Sequence, residues 1–209
     1  MRCPRCRQAI PLNPPRCGHC DFALAEIQRR LGSASAIIEP VMDVAGCLRL
    51  ADSQRLAALV DDFEHRFPQV HLSLFIGVLP EMRVLEAGFW LLNHGTRQRQ
   101  EELCDNRYGI IVLIDPTANE AGIAVGYALE SLLNEELLLS LIKKNSHHLW
   151  HSDHSVALQG MIHGLDAALR RTGKPRPRGL AWKSVGPILG LQTVPQSEPH
   201  AHKLSHSER

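Results

Sequence analysis

The run Tyr108 to Asp115, YGIIVLID, constrains the fold more than any other stretch of this chain. A continuous apolar segment of this length, rich in β-branched residues, predicts a strand in the middle of a sheet with both faces covered. A second strand is expected over Val70 to Leu79, where alternation is weak and Pro80 marks the end. A helical pattern separates the two strands, so they are expected to lie parallel with a right-handed crossover. Pro116 to Asn119 supply turn residues, after which Ala121 to Val125 is expected to return as an antiparallel partner.

Helical periodicity supplies the covering layers. Leu56, Leu59, Val60, Phe63 and Phe67 recur at steps of three and four, with Asp52 placed to cap the helix and Pro68 to stop it. Residues 81 to 103 carry a less regular helical pattern through Val84, Leu85, Phe89 and Leu92, broken at Asn93 to Thr96. Two further helices are expected over Glu135 to about Trp150 and about Asp153 to Arg171. The sequence therefore predicts an α/β fold, a three-layer α/β/α sandwich with a small mixed sheet, preceded by a zinc ribbon. The expected division is 1–32 for the ribbon and a joint, 33–172 for the sandwich, and 173–209 for a Pro/Gly-rich, partly disordered tail.

The ribbon is read from Cys3, Cys6, Cys17 and Cys20, two CxxC pairs separated by ten residues. Two such turns close a tetrahedral shell and leave no position for water or substrate, so the site is structural zinc. Paired disulfides and a redox CxxC are the competing readings, and both the start MRCPRC and the absence of an apolar export segment point to a reducing, cytoplasmic setting. His19 lies inside the second CxxC and is expected to face solvent. A segment of this size cannot bury enough core to fold alone, so the metal would hold it together. Cys47 and Cys104 lack neighbouring basic residues and are expected to be buried apolar fillers.

Twenty-three basic and 22 acidic residues nearly cancel, so no global field points to nucleic acid or to an anionic membrane. No apolar run is long enough to span a bilayer. Arg2, Arg5, Arg7 and Arg16 give the ribbon a basic character, but the aromatic platform used by single-strand binders is missing.

Four landmarks then fall in order: VMDVAGCL at 41–48, an amphipathic helix and strand, DNRYGIIVLID at 105–115, and VGYALE at 125–130. In that order the chain resembles the TPM domain, a family common in bacteria and named after thylakoid-lumen and photosystem II repair proteins and a receptor modulator. The resemblance covers residues 38–171. It rests on Asp43, Ala45, Gly46 and Leu48, then Asp105 and Asn106, then Gly126, Tyr127, Leu129 and Glu130. Arg107 and Tyr108 intervene before Gly109, where the family has glycine directly after asparagine, and Ala128 replaces a second family glycine. Some family members are acid phosphatases, and the resemblance implies a possible phosphatase activity here.

A hairpin of 108–115 with 121–125 would bring Asp105 and Asn106 beside Gly126 and Glu130. With Asp43, these residues form a candidate site for a divalent cation, Ca²⁺ or Mg²⁺, or for a phosphate. Capping and ion-pairing roles for the same carboxylates are the other reading. Ligands in open α/β sheets usually sit at the carboxyl ends of the strands, here the Leu79 and Asp115 edge, and that is not the edge of the motif. No GxSxG, Cys-x5-Arg loop, P-loop or Asp-x-Asp pair occurs.

His147, His151 and His154 would share one face of a continuous helix, but Ser152 and Asp153 are expected to interrupt it. In the tail, Trp182, Val185, Ile188, Leu189 and Leu191 follow Lys174, Arg176 and Arg178. The stretch Trp182 to Leu191 reads as a docking segment for a protein partner or a membrane surface, or as a strap over the domain. The leading functional expectation is an adaptor or maintenance factor in protein-complex assembly. The alternatives are a divalent-metal-dependent phosphatase and nucleic-acid binding through the ribbon.

Overall fold

The computed structural model describes residues 2–11, 16–32, 36–79, 81–99 and 102–172. The tail segment Trp182 to Leu191 and its basic approach lie outside the described residues. Helix α1 spans Leu24–Leu31, β1 Ala36–Ile37, β2 Val41–Asp43, α2 Leu50–Arg66 and β3 His71–Ile76. There follow α3 Val84–His94, β4 Gly95–Thr96, β5 Gln98–Arg99, β6 Glu102–Leu103, β7 Gly109–Asp115 and β8 Glu120–Val125. The last helices are α4 Glu135–Trp150 and α5 His154–Thr172.

The central sheet has the order β2-β3-β7-β8. β2 and β3 are parallel, β3 and β7 are parallel with His71 opposite Gly109, and β7 and β8 form the antiparallel hairpin with Asp115 opposite Glu120. Every residue of β7 is buried, as its composition requires. One face of the sheet, through Leu72, Leu74, Ile110, Val112 and Ile114, packs on α2, α4 and α5. The other, through Ile111, Leu113 and Ala124, packs on α3 and on the cysteine-bearing N-terminal segment. The result is a three-layer α/β/α sandwich with a mixed sheet.

Local expectations are altered in three places. Helix α2 begins at Leu50, so Asp52 is not its cap. It lies in the first turn, where a carboxylate still favours the positive end of the helix dipole, and it pairs with Arg55 at 3.2 Å. β3 stops at Ile76, because Leu79 has left the ladder and donates its N–H to Asp115 Oδ2 at 2.8 Å. Cys47 is exposed on the 44–48 turn and Cys104 is half-buried, so neither is the buried filler expected. The break between α4 and α5 falls where Ser152 takes a positive φ of 59°. His147 and His151 remain neighbours, with ring centroids 4.4 Å apart, while His154 opens the next helix.

Candidate functional site

The four cysteines converge. Cys3 and Cys17 are buried, Cys6 and Cys20 are half-buried, and their Sγ atoms all lie within 4.8 Å of one another. Two chain segments build the site by the same backbone device. The N–H of Cys3 donates to Gln8 O and the N–H of Arg7 to Cys3 O, and Cys17 repeats both bonds with Phe22 and Asp21. Each loop closes on a residue of positive φ, Arg7 at 64° and Asp21 at 57°. The Cys3–Cys20 and Cys6–Cys17 sulfur separations are both 3.7 Å. A disulfide needs about 2.05 Å, whereas zinc–thiolate bonds of about 2.3 Å in a tetrahedron place sulfurs about 3.8 Å apart. The spacing fits the tetrahedral ion, and none of the six cysteines is in a disulfide.

Burial pushes the Cys3 thiol up to about 12, and the N–H of His19 draws Cys17 down to about 7. A bound dication would supply the charge needed to hold all four as thiolates. His19 itself is exposed. The donor set and its geometry are compatible with a structural metal such as zinc, and this is the one cluster of three or more His, Cys, Asp or Glu side chains among the described residues gathered closely enough for a metal.

The acidic residues behave differently. Asp43 ends β2 opposite Ile76, at the carboxyl edge of the sheet, where its carboxylate accepts the N–H groups of Cys47 at 3.0 Å and Leu48 at 2.7 Å. Asp105 and Asn106 precede Gly109 at the other edge, and the hairpin brings Gly126, Tyr127 and Glu130 beside them. Asp105 therefore stands with Asn106 and Glu130, and Asp43 stands apart from all three.

Each acid already has a partner. Asp105 accepts the N–H of Arg107 at 2.9 Å and its Nε–H at 2.6 Å, and the guanidinium also reaches Tyr127 OH at 3.3 Å. The hydrogen bonds from Arg107 hold the Asp105 carboxyl below its usual range, against the opposing effect of partial burial. Glu130 accepts the N–H of Arg2 at 3.1 Å. Asn106 donates from Nδ2 to Gly95 O at 2.7 Å, so its amide positions the turn. Gly126 is required at the closure of the hairpin, because a Cβ there would strike the carbonyl oxygens of Asn106 and Arg107.

These residues line a cleft of about 250 Å³. Its apolar walls include Leu85, Phe89 and Leu92 of α3 on one side and Leu133 and Leu138 around the start of α4 on the other. Arg2 and Arg7 from the first cysteine loop close one end, each 3.6 Å from Glu135. This role for the ribbon was not evident in the sequence, because it depends on which surface the ribbon packs against. The i, i+2 pairing of Asp105 with Arg107 could have been anticipated from spacing alone.

At the opposite edge, Asp115 is buried and accepts from Leu79, Thr117 and Ala118, including Thr117 Oγ1 at 2.6 Å. Burial raises its pKa, but these four donors outweigh it and hold the carboxyl below its ordinary value. Its role is to tie the 116–119 turn to the end of β3.

No protein-family model matches the chain, and no curated protein matches it. Among solved structures it is similar to the solution NMR structure of the N-terminal domain of a protein from P. gingivalis. That match has a TM-score of 0.50 at 16% identity, over 73% of this chain and 90% of the other. The N-terminal domain of a Corynebacterium glutamicum protein matches with a TM-score of 0.47 at 15% identity, over 62% of this chain and 79% of that one. At these identities the first likeness speaks for the fold alone: the chain is an α/β domain with a four-cysteine cluster at its N-terminal end.

Proposed function

We propose that this protein is a TPM-like, non-enzymatic adaptor that binds a protein partner through the cleft at the motif edge, with zinc holding the N-terminal loops that close one end. The observation carrying this reading is that the carboxylates of the cleft are already engaged, Asp105 by Arg107, Glu135 by Arg2 and Arg7, and Glu130 by the Arg2 main chain. Such a rim shapes a binding surface and, among the described residues, leaves no converging oxygen set of the kind a hard cation needs.

The divalent-metal phosphatase reading has less support, since Asp43 lies at the far end of the strands from Asp105. Nucleic-acid binding through the ribbon is also less favoured, because Arg2, Arg5 and Arg7 are ion-paired with Glu135 and Glu86. The test is phosphate release from an aryl phosphate with and without Mg²⁺ or Ca²⁺, using the parent chain and Asp105→Ala. The expected result is no release above buffer for either chain. Metal-dependent release that Asp105→Ala abolishes would replace the adaptor by an enzyme.

A further inference from the structure

Helix α4 ends in a group of imidazoles at the far end of the helix from the cleft. His147 lies in its last turn, and His151 follows as the capping residue with its N–H on His147 O at 3.2 Å, so the two side chains stand one helical turn apart. Their ring centroids are 4.4 Å from one another, and both side chains are exposed. Among the described residues no hydrogen bond or ion pair occupies a ring nitrogen of either one. Their neighbours differ: His148 Nδ1 lies 4.0 Å from Asp153 Oδ2, and His154 is buried at the start of α5.

A metal bonded to two imidazoles in adjacent positions, with bonds of about 2.0–2.1 Å, holds their ring centroids about 4.5–5 Å apart. The pair already stands close to that spacing. Electrostatics also favour a cation there, because the carbonyl end of α4 is the negative pole of its helix dipole and Asp153 adds an exposed carboxylate in the adjoining turn. We propose that His147 and His151 form an open chelating site for a borderline divalent ion, Cu²⁺, Ni²⁺ or Zn²⁺, separate from the cysteine cluster. Imidazole nitrogens suit these ions, whereas Mg²⁺ and Ca²⁺ take oxygen donors. Two protein ligands leave the remaining positions to water or an incoming donor, where a four-thiolate shell leaves none. The turn that carries the pair lies at the carboxyl edge of the sheet, where Leu149 and His154 meet Asp115, while the start of the same helix walls the cleft. The site therefore stands independently of the adaptor reading.

The probe is Ni²⁺ held by nitrilotriacetate, which leaves two adjacent coordination positions open, titrated by calorimetry into the full zinc-loaded chain. The expected result is saturable binding that His147→Ala or His151→Ala weakens by about tenfold or more. The double variant should be little worse than either single one, since either loss already breaks the chelate. His148→Ala should stay within about twofold of the parent, and all three positions lie on the helix surface, where such changes leave the fold intact. His200, His202 and His206 lie outside the described residues, so a chain carrying His200→Ala, His202→Ala and His206→Ala is titrated beside the others. It should bind as the parent does. No saturable binding, losses at His147 and His151 that simply add, binding abolished by the three tail substitutions, or zinc displaced from the cysteines with no effect of His147→Ala would each overturn the site.

Discussion

Arg5 Nε donates to Glu86 Oε1 at 2.6 Å, joining the first cysteine loop to α3. Glu86 is 6% exposed, Arg5 also reaches Glu26 at 3.4 Å, and its guanidinium carbon lies 5.3 Å from the centre of the Phe22 ring. Phe22 in turn meets Phe89 edge-on at 5.9 Å. One arginine thus bridges both cysteine loops and the sandwich, which explains how a short cysteine loop comes to wall a cleft built mainly by other elements. Glu86→Ala should loosen this attachment at a cost of about 1–3 kcal/mol. Faster amide exchange in residues 2–10, with exchange in β7 unchanged, is the expected signature; unchanged exchange in both would refute it.

Removing the metal should have a local effect. Purified protein is expected to carry one zinc per chain by elemental analysis, and a strong chelator or Cys17→Ser should release the order of residues 2–11 and 16–32. Residues in α2, β3, β7 and α5 have their own core and should keep their protection from exchange. Global unfolding on chelation would contradict that separation.

A buried ion pair was not foreseen in the sequence. Arg97 Nη2 donates to Glu64 Oε1 at 2.6 Å, both side chains are buried, and the same oxygen accepts the N–H of Leu72 at 2.9 Å. Arg97→Met would remove the guanidinium bonded to the buried Glu64 carboxylate and should cost about 3–5 kcal/mol in urea denaturation. Glu64→Gln combined with Arg97→Met should recover part of that loss. A single substitution costing less than about 1 kcal/mol would show that the pair is dispensable.

His154 supplies a pH dependence. It is 6% exposed, and burial depresses its pKa despite the opposing pull of Asp43 and Asp153. A depressed imidazole is neutral in the fold and protonates more readily in the unfolded chain. Its contribution is therefore present above about pH 6.5 and lost as pH falls toward the folded-state value. The urea midpoint should decline between pH 7.5 and 5.5, and His154→Asn should flatten that decline. An identical slope in parent and variant would assign the dependence to other groups.

At the hairpin closure, Gly126→Ala should destabilise the chain by about 1–3 kcal/mol, because the new methyl group meets main-chain oxygens that cannot rotate aside. Thermal melting measures it. An unshifted midpoint would mean that the 106–108 turn can yield.

The sequence was a good guide to elements whose cause is local. The β-branched run at 109–115 was visible as a buried strand, and the spacing of Leu56, Val60 and Phe63 marked the buried stripe of α2. The junction at Ser152 and Asp153 was legible from residue type. Asp52 misled because a capping residue type also suits a helix's first turn. The placement of Asp43 was hidden because VMD is a strand of only three residues, too short to show periodicity. Once it pairs parallel to β3, the end of β2 and the approach to β7 must lie at opposite edges of the sheet.

By itself the sequence determined the layered α/β class, the hairpin and the four thiols at metal spacing, since strand burial, helical period and CxxC loops are set within a few residues. Tertiary structure alone decided that Asp105 meets Arg107 and Tyr127 in a cleft closed by the ribbon, that Asp43 is elsewhere, and that the outer edge of β8 lies between two helical walls. Those relationships join residues distant in sequence, and they depend on strand order and helix docking, for which neither periodicity nor composition carries a signal.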